Sequence, residues 1–200
     1  MKKFKVGLAG IAICGLLSAC GTGEVKPIEE TKVKAVATNE NEIVEFSPEA
    51  KEWIAEMLVE FNRPPEDSFE EFGIEDVGFV YYKKADELYR SMHVYINDKN
   101  ESYDEDFANL RMLAAGISLY QFTRTAHIEN TGKEMTNLEY AKDWTSMPAE
   151  TEKAFDYIKQ LLNDIDIAIN KDGKGTTFGV SHLLNGGNVN KLESFISHGS

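Results

Sequence analysis

Four segments after residue 46 repeat apolar residues with the period of an α-helix, and this repeat constrains the fold more than any other feature. The first segment begins after Ser47-Pro48-Glu49, where an N-cap, a first-turn proline and an acidic residue are typical of a helix start. Asn62-Arg63-Pro64-Pro65 ends it. Its apolar stripe consists of Ala50, Trp53, Ile54, Met57, Leu58 and Phe61.

The second helix is predicted from about Tyr81 to Ile96, with its apolar residues at Ala85, Leu88, Tyr89 and Met92. The stretch from Met92 to Ile96 could equally begin a strand. Residues 66–80, which mix aromatic and acidic residues with two glycines, are interpreted as a short helix followed by a loop.

The longest apolar segment runs from Phe107 to Ile128 and follows a capping-box pattern, Ser102-Tyr103-Asp104-Glu105. It has apolar residues on two faces, which predicts that this helix is the central and most buried one. One face contains Phe107, Leu110, Leu113, Ile117 and Tyr120, and the other contains Met112, Ala115, Leu119, Phe122 and Ala126.

Three further helices are expected towards the C-terminus. A second capping box at Thr136 predicts a short helix to Trp144, and Pro148 begins a long one that ends near Gly173. A loop with one helical turn near His182 follows, and then a short helix through Leu192, Phe195 and Ile196. The stripe of the long helix is Ala154, Phe155, Ile158, Leu161, Leu162, Ile165 and Ala168. The sequence therefore predicts an all-α bundle of about four main helices plus short helices.

The N-terminus has the layout of a secretory signal, with Lys2, Lys3 and Lys5 before an apolar run from Val6 to Ala19. As a helix, this run of 14 residues would span only about 21 Å, which is short of the roughly 30 Å hydrocarbon core of a membrane. The run ends in Leu17-Ser18-Ala19-Cys20, which resembles the lipobox of bacterial lipoproteins. That resemblance implies cleavage before Cys20 and acylation of Cys20, and two acyl chains suffice for stable anchoring.

Three regions follow from this interpretation: a cleaved signal peptide (1–19), the lipidated cysteine with a flexible tether (20–46), and a helical domain (47–200). The tether is rich in Glu, Lys, Thr, Asn and Val and contains Pro27. The second cysteine, Cys14, lies in the discarded signal. Cysteine catalysis, thiol redox chemistry and zinc–thiolate sites are therefore not expected.

After the signal, 34 acidic residues stand against 18 basic ones, so the mature chain would carry a net charge of −16. This charge would repel nucleic acid and anionic head groups, so no nucleic-acid partner is expected. The expected partners are the membrane, through Cys20, and a protein or peptide. Cationic peptides, divalent ions and neutral ligands are compatible with the charge, although solubility alone explains it more simply.

Familiar cofactor and catalytic motifs fail when their positions are checked. Calcium loops placed on Asp98 or on Gly173 lack required ligands or the turn glycine, and Gly173-Lys174 lacks the earlier glycine of a phosphate loop. Asp164, Asp166 and Asp172 are interpreted as a solvated helix end. No Glu-x-x-His pair, haem attachment motif or His-Glu-x-x-His occurs. No cofactor and no catalytic residue are predicted.

Two groups of residues remain as candidates for binding. Arg111, Ser118, Gln121 and Thr125 fall within a narrow arc of the long apolar helix, where they would either line a pocket or form its solvent stripe; the second interpretation is preferred. Tyr81 and Tyr82, near Asp86 and Glu87, suit recognition of cationic or polyhydroxylated partners, although core packing explains them more simply.

The expected function is that of a lipid-anchored extracytoplasmic domain that acts as a binding or interaction module of the bacterial cell envelope. An envelope hydrolase that uses carboxylates is the first alternative, and it predicts a deep pocket with converging acidic or histidine side chains of perturbed pKa. The second alternative is a precursor whose signal fragment acts as a peptide pheromone.

Overall fold

The computed structural model describes residues 46–96, 101–128 and 137–198, with backbone only at 101–104 and 137–138. The predicted signal, Cys20 and the tether up to residue 45 lie outside the described residues, as does the predicted N-cap Thr136. The described part is all-α, which confirms the predicted fold class. Its elements are α1 (Pro48–Asn62), a 3-10 helix (Pro65–Ser68), α2 (Phe69–Phe72), α3 (Val77–Tyr95), α4 (Glu101–Thr125), α5 (Asn137–Ala141), α6 (Ala149–Asn170) and α7 (Val189–His198).

Helix α1 forms as its sequence predicts. The Ser47 hydroxyl accepts a hydrogen bond from the amide of Ala50 at 3.1 Å, and Pro48 occupies the first turn. After Asn62 the backbone becomes extended at Arg63, since the residue before a proline disfavours helical geometry. The buried face consists of Ala50, Trp53, Ile54, Met57 and Phe61.

Helix α3 begins four residues earlier than predicted, because the carboxylate of Asp76 caps it by accepting the amide of Phe79 at 2.7 Å. The helix continues to Tyr95, so the strand alternative for the stretch from Met92 to Ile96 is wrong. Met92 is buried together with Leu88 and Ala85, which lie one and two helical turns before it. Residues at helical spacing therefore still face the core at this end of α3.

A buried lysine joins α3 to the end of α1. Lys84 is buried, and its Nζ donates to the carbonyl oxygens of Glu60 and Arg63, each at 2.8 Å. Carbonyls at a helix C-terminus lack partners within the helix, so the ammonium group satisfies acceptors that would otherwise be orphaned. Burial lowers the pKa of Lys84, while the charge of Glu60 acts in the opposite direction.

Helix α4 is not the fully covered helix that its two apolar faces suggested, and that prediction is wrong. Leu110, Leu113, Ala114 and Ile117 are buried on one face. The other face remains exposed: Met112, Leu119 and Phe122 keep 52%, 48% and 65% of their surface accessible. The predicted N-cap Ser102 lies inside α4 as its second residue.

Helix α6 takes the central position instead, because it contacts α1, α3 and α4. Six of the seven residues in its predicted stripe, Ala154, Phe155, Ile158, Leu161, Leu162 and Ile165, are buried, and the seventh, Ala168, is partly buried. It begins after Pro148 and ends at Asn170, shortly before Gly173, which has a left-handed φ of +73°. Helix α7 packs against α4. Among the described helices, none is long and apolar enough to cross a membrane.

Candidate functional site

A groove with a volume of about 760 Å³ lies between α6 and α7. A neighbouring cavity of about 320 Å³ continues it and shares Lys153, Tyr157 and Lys191 with it. Volumes of this size are typical of ligand sites in proteins. The groove is lined by Ala149, Glu150, Lys153, Tyr157, Asn190, Lys191, Ser194, Phe195 and His198.

The walls of the groove are rows of side chains at helical spacing. On α6, residues 149, 153 and 157 are four apart, and on α7 the same holds for 190, 194 and 198. Residues four apart lie above one another on one face of a helix. Each helix therefore presents one face, about two turns long, to the groove.

The groove contains both aromatic and cationic groups. The rings of Tyr157 and Phe195 lie 5.2 Å apart, and the Lys153 ammonium is 5.0 Å from the centre of the Phe195 ring. Neither Lys153 nor Lys191 forms an ion pair with a described residue, although Lys191 donates to the side-chain oxygen of Asn188 at 2.8 Å. The groove thus offers two lysine ammonium groups that form no ion pair with a described residue, in a chain whose formal net charge is −13.

The position of α7 depends on the loop that precedes it, and two buried carboxylates hold this loop. Asp164 of α6 accepts hydrogen bonds from the amides of Phe178 and Val180, at 2.8 and 2.9 Å. Asp164 and Asp166 are both buried, so the prediction that they lie at a solvated helix end is wrong. Asp166 forms an ion pair with Lys171 at 2.7 Å. Asp172 is exposed, as expected.

The second carboxylate is Asp106 of α4, which is also buried. It accepts hydrogen bonds from the amides of His182 and Leu183, at 2.8 and 3.1 Å, and from the hydroxyl of Ser181 at 2.5 Å. Burial raises the pKa of Asp106, while these three hydrogen bonds act in the opposite direction. Together with Asp164, it satisfies four amides of one short segment.

His182 adds a further connection between this loop and the helices. Its Nδ1 lies 3.0 Å from a carboxylate oxygen of Glu105 on α4, and its Nε2 lies 2.8 Å from one of Glu193 on α7. The imidazole of His182 therefore bridges α4 and α7.

A close backbone contact closes the loop. The carbonyl of Gly179 accepts the amide of Asn188 at 2.7 Å, and a Cβ on Gly186 would lie only 2.2 Å from that same carbonyl oxygen. Gly179 itself has a φ of +72°, a conformation that side chains disfavour. The short approach explains why glycine is needed at residue 186.

The four α4 residues that were expected to form a solvent stripe, or alternatively to line a pocket, have different environments. Arg111 is exposed, and the Ser118 hydroxyl donates to the carbonyl of Ala114 at 3.2 Å. Gln121 is buried, and its side-chain oxygen accepts from Arg124 at 2.9 Å, while the Thr125 hydroxyl donates back to the helix backbone. None of the four lines the cavities described above.

The two candidate tyrosines take part in packing. The Tyr81 ring stacks on Phe155, with ring centres 4.0 Å apart, and burial together with the charges of Glu152 and Asp156 raises its pKa. The Tyr82 ring lies 5.9 Å from that of Phe79. Both side chains are partly buried, which agrees with the simpler of their two interpretations.

The ion pair between Asp76 and Arg124 was not predicted from the sequence. The buried Arg124 guanidinium binds both Asp76 oxygens, at 2.9 and 2.7 Å, and donates to the carbonyl of Thr145. Burial alone would raise the pKa of Asp76, but hydrogen bonds from Arg124 and Phe79 outweigh it, so this pKa lies below its usual value. The helix-capping position of Asp76 was the available signal.

The described residues contain no group of three or more His, Cys, Asp or Glu side chains placed to hold a metal ion. Ser181, His182 and Asp106 are the residue types of a hydrolase triad, but Ser181 is buried and its hydroxyl donates directly to Asp106. A nucleophile would instead need an adjacent base and access to substrate. This cluster therefore holds the loop.

Comparison with known proteins found no matching family model, no matching curated protein and no matching solved structure.

Gly186→Ala should destabilise the full chain by about 1–3 kcal/mol, because the new methyl group clashes with the Gly179 backbone. Chemical denaturation followed by circular dichroism measures this change. Gly187→Ala is the matched control, since nothing lies within 4 Å of a Cβ added there. Equal stability of the two variants would contradict the described loop.

Proposed function

We propose that this protein is a lipid-anchored extracytoplasmic domain of the bacterial cell envelope that binds a protein or peptide in the groove between α6 and α7. The observation that carries the binding proposal is the pair of lysines without a described ion pair, Lys153 and Lys191, beside the aromatic pair of Tyr157 and Phe195. The Leu17-Ser18-Ala19-Cys20 lipobox resemblance supports the anchor.

The chemistry of the groove favours a peptide segment that carries a carboxylate next to an apolar side chain. Lys153 and Lys191 come from different helices, so a carboxylate between them would interact with both walls. An apolar side chain would bury its surface against Tyr157 and Phe195. A groove walled by two helix faces suits a peptide, whose side chains recur at regular spacing.

Binding is preferred to carboxylate-based hydrolysis because of where the perturbed carboxyl group lies. Burial raises the pKa of Asp106, but this residue is inaccessible and lies outside the described cavities. A general acid must instead reach its substrate. The groove itself contributes Glu150 without a partner carboxylate, although Asp156 lines the adjoining cavity.

The anchor is tested by replacing Cys20 in the full chain. Wild-type protein should incorporate a labelled fatty acid and fractionate with membranes, because acylation of Cys20 supplies the apolar chains. Cys20→Ala should lose the label and either accumulate unprocessed or appear in the medium. A Cys20→Ala protein that is still processed and membrane-bound would overturn the anchor.

The groove is tested by photo-crosslinking in intact cells, with benzoylphenylalanine in place of Ser194 or of Ser197. Both serines are exposed on α7, but only Ser194 lines the groove, so a discrete adduct should form from residue 194 alone. The double variant Lys153→Glu, Lys191→Glu should abolish the adduct, because it reverses both groove cations.

Lys174→Glu is the control for this charge reversal, because Lys174 is exposed and lies away from the groove. It should leave the adduct unchanged. Equal adducts from residues 194 and 197, or an adduct that survives the double reversal, would contradict the proposed binding site.

A further inference from the structure

The exposed apolar residues of α4 form one continuous stripe with the spacing of a coiled coil. We call this stripe the seam; it consists of Ala108, Met112, Ala115, Leu119, Phe122 and, directly after the helix, Ala126. Successive members are alternately four and three residues apart, a period of 3.5. Such a period keeps one helix in contact with another helix along its length.

The charge distribution along α4 also favours an interface. The chain contains 34 acidic residues, yet none occurs between Phe107 and Ile128. Since the protein is acidic elsewhere, two copies would repel each other at most faces. The helix that presents the seam therefore adds no acidic side chain to this repulsion between Phe107 and Ile128.

The exposed apolar surface of the seam is comparable to the largest apolar patch of a typical monomer, and such patches often have a function. From their exposed fractions, Met112, Leu119 and Phe122 contribute about 300 Å² of apolar surface. An apolar groove of about 170 Å³ lies alongside, where Met112, Ala115 and Leu119 meet Phe195 of α7. The seam and this groove provide both knobs and a hole for a neighbouring helix.

We propose that a second copy of this chain covers the seam, with the two α4 helices antiparallel about a two-fold axis level with Ile117. This axis pairs Ala115 with Leu119 and Met112 with Phe122 of the other copy, and it pairs Ala108 with Ala126. Every seam residue then faces another seam residue. A two-fold interface requires this kind of self-complementarity.

The antiparallel direction follows from side-chain size and charge. In a parallel pair, each Phe122 would face its own copy, and the two exposed Arg111 side chains would lie at the same level. In the antiparallel pair, Arg111 faces Thr123 of the other copy, and large Leu119 faces small Ala115. A large residue opposite a small one packs closely at the Leu119–Ala115 contacts, while Met112 faces Phe122 and Ala108 faces Ala126.

The pairing is tested by disulfide formation between two differently tagged full-length chains, one with Ala108→Cys and one with Ala126→Cys. Co-expressed in a bacterial host and mildly oxidised in isolated membranes, they should give the mixed disulfide. Neither variant alone should link to itself. In the antiparallel pair, residue 108 of one copy is level with residue 126 of the other, so the two copies of residue 108 are separated by 18 residues, about 27 Å along the helix. Wild-type chain and Lys174→Cys are the controls.

A self-linked Ala108→Cys dimer would overturn the antiparallel arrangement, and the absence of any disulfide would overturn the second copy as occupant.

As an independent measurement, Leu119→Glu should convert detergent-extracted protein from two copies to one, read by analytical ultracentrifugation. Val59→Glu is the matched control, because Val59 is 72% exposed on α1, outside the seam, and should leave two copies. A wild-type protein with one copy, or with a different protein bound at the seam, would also overturn the proposal.

Discussion

The groove of this protein depends on two buried carboxylates and the backbone amides that they bind. A buried carboxylate is costly unless hydrogen bonds replace its hydration, and a buried amide likewise needs an acceptor. Asp106 and Asp164 meet both needs, because each accepts two amides of the segment from Phe178 to Leu183. The carboxylates come from α4 and α6, so the loop is tied to both helices before α7 begins.

The position of α7 then determines two surfaces. On one side, α7 faces α6 and forms the wall that contains Lys191 and Phe195. On the other side, it packs against α4 and borders the apolar groove beside the seam. The proposed partner site and the proposed contact with a second copy therefore share a helix of ten residues whose placement rests on the preceding loop.

Most of the fold could be predicted from the sequence, because the apolar stripes of α1 and α6 and the Ser47 cap are local signals. The error at α4 has a physical cause. Apolar residues on two faces occur in a helix that is covered on all sides and also in a helix with one face left for another molecule, and the residues alone do not distinguish these cases. The wrong prediction for the environment of Asp164 has a similar cause, since the residue type alone does not indicate whether a carboxylate is buried.

The groove could not be predicted, because it joins residues about 40 positions apart, such as Lys153 and Lys191. Each lysine resembles an ordinary solvated side chain until α7 folds back along α6. The contacts of Lys84 and Arg124 are also long-range, and their partners are backbone carbonyls or a distant carboxylate. The candidates chosen from local pattern, Ser118 and Tyr81, proved to satisfy local hydrogen bonding or packing instead.

Amide hydrogen exchange measures directly whether the two carboxylates hold the loop rigidly enough to place α7. Amides that are bound to buried acceptors exchange only when the structure opens. Those of Phe178, Val180, His182 and Leu183 should be protected as strongly as amides in the middle of α6, whereas the exposed neighbours Thr176 and Thr177 should exchange rapidly. Equally fast exchange at all six residues would contradict the account.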